Sequence, residues 1–274
     1  MILSYGVRLF ALIGFVMVAG YVAVRLGLTN TKGIIDTQAA AFLAAAQNST
    51  PSNTEAWSQG PEWQTLKAAI TKDTGVIYKA ATVADVDPRL VVAVVVPEQL
   101  RLFHSDRQLF KEVFAPLKIL GNESQFSWGI AGVKQDTAIA IENHLKDSTS
   151  PYFPGVNYEH LLDFKTANTG SERFARITDD KNHYYAYLYA ALYLKEVMAQ
   201  WKAAGFDISN RPEILCTLYN IGFDHSKPNA SPSVGGAEID LNGTTYSFGG
   251  LGGAFYQSQE LRNEFPDESQ GDRL

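Results

Sequence analysis

Glu98 is the residue whose surroundings point most directly to chemistry. It follows the apolar run Leu90 to Val96, and Val91, Val94, Val95 and Glu98 share one helical stripe by spacings of three, four and seven. A carboxylate on a stripe of buried valines is costly unless it is protonated or paired. Pro97 has no N–H and disfavours helical geometry at Val96, so a helix is expected to kink or stop there. Glu98 would then sit near a helix C-terminus, where burial and the helix dipole both disfavour the ionised form. A raised pKa is the expectation, and a neutral carboxylic acid near pH 7 is what general-acid catalysis requires. The plainer alternative is a surface glutamate just past a core helix.

Other reactive groups fit less well. Histidines at positions 104, 144, 160, 183 and 225 contain no His-Glu-x-x-His pair, which argues against a zinc hydrolase. Cys216 is the single cysteine, so neither an intramolecular disulfide nor a multi-cysteine zinc site can form. Its place in Ile214-Leu215-Cys216, inside an apolar helix, predicts a buried structural thiol and not a nucleophile.

Three further segments give Glu98 a context: Ser127-Trp128-Gly129-Ile130-Ala131-Gly132-Val133-Lys134-Gln135, Ala190-Ala191-Leu192-Tyr193-Leu194 and Leu218-Tyr219-Asn220-Ile221-Gly222. With Pro97-Glu98-Gln99 before them, their order and wording resemble the lytic transglycosylase branch of the lysozyme superfamily. That family shows a helix ending in Glu-Ser, a Ser-rich Gly-Leu-Met-Gln segment, a Gly-x-x-Tyr-Leu helix, and a helix ending in Tyr-Asn-x-Gly. The likeness runs from about Val76 to Gly222. Departures are Gln99 for serine, Pro97 before the glutamate, Val133-Lys134 for Leu-Met, Ala190 for the helix glycine, and an apparent insertion over Leu100 to Ser124. A second glutamate, in Glu123-Ser124, carries the literal pair but follows Gly121-Asn122 and lies close to Gly132, so Glu98 is preferred.

The resemblance implies a peptidoglycan lytic transglycosylase, in which one acid protonates the oxygen between MurNAc and GlcNAc. The same group then acts as base while the 6-hydroxyl closes a 1,6-anhydro ring. No metal or cofactor is implied. Carried over by position, Glu98 is the acid/base, Tyr219 reaches its carboxyl, and Ser127, Gln135 and Asn220 contact substrate or fix the adjoining loop. A muramidase-like hydrolase and a catalytically weak peptidoglycan-binding envelope protein on the same fold are the alternatives.

The elements that position these residues are expected to be mainly helical. Helices are predicted from Pro61 through Ile70, over Val76 to Ala84, from Pro88 after an Asp87 cap, over Gly132 to Leu145, Tyr184 to Ala204 and Pro212 to Tyr219. Ala237 to Phe248 alternates like a hairpin about Asn242-Gly243, and Gly249 to Gly253 reads as a loop. The expected fold is mainly α, a lysozyme-like helical domain over 61–274 with a small C-terminal hairpin. Residues 29–60 are expected to be a juxtamembrane helix and linker.

Residues 1–28 are expected to anchor the chain. Leu9 to Val24 runs without a charge between Arg8 and Arg25, close to the roughly 17 apolar residues a short spanning helix needs. A cleaved signal peptide is the alternative, although Arg25 leaves no good cleavage site. With the resemblance, this predicts a single-pass protein of the bacterial inner membrane whose catalytic domain faces the periplasm or cell exterior. Twenty-three Lys and Arg against 29 Asp and Glu give a net charge of -6, which argues against nucleic acid as a partner. The expected partners are glycan strands and the membrane.

Overall fold

The computed structural model describes residues 56–103 and 127–266, all within one compact unit. The expected membrane segment, the juxtamembrane helix and most of Leu100 to Ser124, Glu123 included, lie outside the described residues. No helix among the described residues is long and apolar enough to cross a membrane. The described chain is mainly helical, as expected.

Its α-helices are α1 (Pro61–Lys72), α2 (Thr74–Ala84), α3 (Pro88–Phe103), α4 (Gln135–Lys146), α5 (Thr169–Ile177), α6 (Tyr184–Ala203), α7 (Pro212–Ile221) and α8 (Phe248–Gln257). Two antiparallel strand pairs accompany them. β1 (Ser127–Trp128) faces β2 (Val133–Lys134), and β3 (Glu238–Leu241) faces β4 (Thr244–Ser247) across the expected Asn242-Gly243 turn, where both residues have positive φ.

Helix α3 is the axis of the core. Every residue from Pro88 to Glu98 is buried, and α1, α2, α6, α7 and α8 all pack on it. A helix apolar on all sides belongs inside a protein, and the run Leu90 to Val96 meets that description. α6 is its counterpart, twenty residues long and buried over most of its length against α2, α4, α5 and α7. The core also begins before α1, because Trp57 is buried and packs edge-on against Trp63 with ring centroids 4.9 Å apart.

Two features away from Glu98 depart from the sequence expectation, and the helix expected from Gly132 begins only at Gln135, after β2. Gly249 to Gly253 is not a loop but lies within α8, whose Ser247 cap accepts a hydrogen bond from Gly250 N–H at 3.1 Å. The glycines are there for contact: a Cβ on Gly249 would lie 2.6 Å from the Glu213 carbonyl, and one on Gly252 would lie 2.8 Å from the Ala93 carbonyl. Only bare backbone lets α8 approach α7 and α3 this closely. The second departure is α5, which no apolar periodicity announced, because its buried face carries Arg173 and Arg176.

Arg89, at the start of α3, is fully buried. Its Nε donates to Tyr256 O at 2.8 Å, Nη1 to Glu260 O at 3.1 Å and Phe265 O at 3.0 Å, and Nη2 to Phe255 O and Ser258 O at 2.9 Å each. All five guanidinium donors are therefore filled by carbonyls of the chain that ends α8 and follows it. Carbonyls on every N–H are how a buried cation is tolerated in a low-dielectric core.

Candidate active site

The site starts from a helix that does not stop where expected. α3 runs through Pro97 to Phe103, so Glu98 lies about one and a half turns inside it and not at its end. Pro97 lacks the N–H that would bond Ala93 O four residues earlier. Cys216, on α7, fills that gap: its thiol donates to Ala93 O at 3.4 Å. The single cysteine is thus a buried structural donor, and burial holds its thiol pKa well up. The kink rule is local, and a contact from 123 positions away overrides it.

Glu98 is 3% exposed, which removes the surface-glutamate alternative. The Gly129 to Gly132 turn, which joins β1 to β2, lies directly on it. Gly132 has φ 67°, and a Cβ added there would overlap the Glu98 carboxyl, 2.5 Å from its Cγ. Gly129, with φ 62°, is barred from carrying a side chain by the Ile177 carbonyl. Both glycines serve backbone geometry, as their types suggested.

Two side chains hold this turn over the carboxyl. Gln99 Nε2 donates to Ile130 O at 2.5 Å, and Tyr219 Oη donates to Ala131 O at 2.7 Å. Three successive residues of the turn thus meet Gln99, Tyr219 and Glu98 in order. The resemblance implies a Tyr219 bond to the carboxyl itself; its hydroxyl goes instead to the turn that covers the carboxyl. Burial first, and then the nearby Glu98 charge, hold its phenol pKa well up, so it stays a donor. Its ring packs edge-on to Tyr193, whose own hydroxyl donates to Leu218 O at 2.7 Å and ties α6 to the last turn of α7.

The other expected residues divide. Gln135 opens α4 immediately after β2, and its Oε1 is buried without a hydrogen-bond partner among the described residues. An unfilled acceptor of that kind is costly at rest and is available to a ligand N–H. Asn220 is spoken for: its Oδ1 accepts from Ala237 N–H at 2.8 Å and fixes the loop that leads into β3. Ser127 sits opposite Lys134 in the β1–β2 pair, and its side chain lies outside the described part.

Arg101 is the neighbour that sequence reasoning missed. Its Nη2 lies 2.6 Å from Glu98 Oε2, with side chains 16% and 4% exposed respectively. The spacing of three along a helix is the signal that would have found it, had α3 been expected to continue. Burial disfavours a charged Glu98, whereas the guanidinium favours it. A second buried carboxylate was also missed. Glu196 on α6 is fully buried, bonds His144 Nδ1 at 2.8 Å, and has its pKa held well up by burial, while His144 is pushed down by burial.

What the arrangement can do is move a proton at one shielded carboxyl, beneath a turn that a phenol and an amide hold over it. No family model, curated protein or solved structure matches the chain.

Proposed function

We propose that the protein is a peptidoglycan lytic transglycosylase in which Glu98 is the single acid and base. One observation carries the reading: the separate segments around Glu98, Gly129 to Gln135 and Tyr219 converge so that one turn lies on one buried carboxyl and is clamped there by Gln99 and Tyr219. The chemistry needs no second carboxylate. Protonated Glu98 gives its proton to the glycosidic oxygen as the bond from that oxygen to the MurNAc C1 breaks, and the substrate's own acetamido oxygen stabilises the charge at C1. The Glu98 carboxylate then takes the proton of the 6-hydroxyl as O6 bonds C1, which closes the anhydro ring and restores the acid. In this reading Gln135 Oε1, an acceptor with no partner among the described residues, takes an N-acetyl N–H.

We take the fold to be lysozyme-like, and residues 9–24 to anchor the chain in a membrane so that this domain works on the wall outside it. Full-length protein should therefore sediment with membranes. A soluble mature chain beginning between residues 23 and 30 would show a cleaved leader instead.

A second reading has its own support. The Arg101 ion pair favours ionised Glu98 at rest, as suits an envelope protein that holds glycan without cleaving it. Mass spectrometry of fragments released from peptidoglycan by the full chain in detergent separates the readings. Anhydro ends support the transglycosylase, reducing ends indicate a hydrolase, and no release with retained binding indicates the wall-binding protein.

A further inference from the structure

We propose that Arg101 is a carboxylate-exchange residue: it holds Glu98 in the resting protein and passes to a carboxylate carried by the glycan when substrate binds. The proposal rests on Glu98 being the acid, and it deepens that reading by naming the substrate class, a glycan whose lactyl carboxylate, close to the cleaved bond, is free of peptide.

The geometry has three parts. Arg101 stands one turn beyond Glu98 on α3 and is the more exposed partner, 16% against 4%, so the guanidinium lies nearer solvent than the carboxyl it holds. Its bond to Glu98 uses Nη2 alone, while its buried Nε makes no hydrogen bond among the described residues. A guanidinium bonds a carboxylate best through two parallel N–H groups, so Arg101 holds Glu98 with part of its capacity unspent. An incoming carboxylate that takes both donors offers a better partner than the one Arg101 has.

Among the described residues Glu98 is faced by Arg101 from its own helix, by Tyr219 from α7, and by the Gly129 to Gly132 turn, which carries no titratable side chain. When Arg101 leaves, burial acts on the carboxylate with that ion pair gone, and Glu98 takes a proton from solvent. That proton is the one the glycosidic oxygen receives. A neutral glycan leaves Arg101 on Glu98 and meets a carboxylate with no proton to give. The exchange therefore arms the acid only for substrates of the right charge, and it reconciles a paired resting carboxylate with an acid mechanism.

The test is calorimetric binding to the full chain in detergent, in two buffers of different ionisation enthalpy. The probes are the disaccharide of GlcNAc and MurNAc, with its free lactyl carboxylate, and N,N′-diacetylchitobiose, which lacks one. Exchange predicts proton uptake with the carboxylated disaccharide and none with chitobiose. Glu98→Gln removes the competing anion, so it should favour the carboxylated sugar by at least about ten-fold and abolish proton uptake. Arg101→Gln should bring the two sugars to parity, and Arg101→Lys should keep part of the preference, which guards against a general folding defect. Absence of proton uptake in the parent, or a preference that survives Arg101→Gln, overturns the exchange. Proton uptake without release of any anhydro fragment would instead leave Arg101 as proposed and reject the transglycosylase.

Discussion

Gly132→Ala isolates the close approach on which the proposed site depends. Two effects act at this position, and a second glycine separates them. The first is backbone strain: with φ at 67°, any L side chain sits in the left-handed region, at about 1–2 kcal/mol. The second is collision, because the new Cβ would lie 2.5 Å from Glu98 Cγ and closer still to its carboxyl. Carbon atoms in contact need about 3.5 Å, so turn and carboxyl must part by about 1 Å. A misplacement of that size at reacting groups lowers turnover by roughly 10²-fold. Gly205, between α6 and α7, has φ 86° and nothing within 4 Å of where an added methyl would sit, so Gly205→Ala carries the strain without the collision. Both variants should lose a few degrees of thermal stability, at roughly 2–4 °C per kcal/mol for a domain of this size. Only Gly132→Ala should lose release of anhydro-ended fragments, read by mass spectrometry as initial rate at matched folded protein. If the two variants release product at equal rates, the turn does not position Glu98 and the site is misassigned.

Glu98→Gln should cut release by at least roughly 10²-fold, the usual share of a general acid. Because it leaves Arg101 facing a neutral amide, it should also destabilise by about 1–3 kcal/mol in chemical denaturation, opposite in sign to what an unpaired buried acid would give; a more stable variant at pH 7 would show that the ion pair contributes nothing. Cys216→Val removes the donor to Ala93 O and should cost about 1 kcal/mol with product release unchanged, while the parent thiol should resist iodoacetamide until the chain unfolds; rapid labelling of folded protein would contradict the buried placement. Glu196 has its folded pKa held above the ordinary 4.5, so the unfolded chain ionises first and stability falls as pH rises past that value. Glu196→Gln should therefore gain on the parent between pH 5 and pH 8 in urea titrations, and a parent that gains instead would show that an ionised Glu196 is held by His144.

How far the sequence reaches depends on whether the deciding contact is local. Pro61 at the head of α1, Asp87 before α3, whose Oδ1 accepts from Arg89 N–H at 2.8 Å, and the Asn242-Gly243 hairpin all depend on neighbouring residues, and each stands where the sequence put it. Pro97 reads as a stop because the thiol that replaces its missing hydrogen bond arrives from α7. Gly249 and Gly252 read as loop because helix propensity weighs a glycine alone, whereas here the neighbouring helices require it. α5 is invisible to apolar periodicity because charge pairing holds its buried face: Arg173 is bonded twice by Glu142, and Arg176 donates to Leu162 O and Asp163 O. The same division runs through the site. Glu98, Gly132 and Tyr219 are legible from type and order, but the direction of the Tyr219 hydroxyl and the presence of Arg101 depend on where α3 ends.

The guanidinium of Arg89 has a consequence for the order of synthesis. Its five acceptors lie 166 to 176 residues further along the chain, the last of them at Phe265. Until that stretch has left the ribosome, docking α3 into the core would bury a cation without the five carbonyls that receive its protons, a state far less favourable than leaving the helix wet. The helix that carries Glu98 is therefore made well before the chain it needs and cannot settle until Phe265 has emerged. Folding of this domain is held back until that stretch is made, and its contacts of long sequence separation make it slow once it begins. A nascent chain stalled before Phe255 should be cut readily by protease within α3, and one released beyond Phe265 should be protected there.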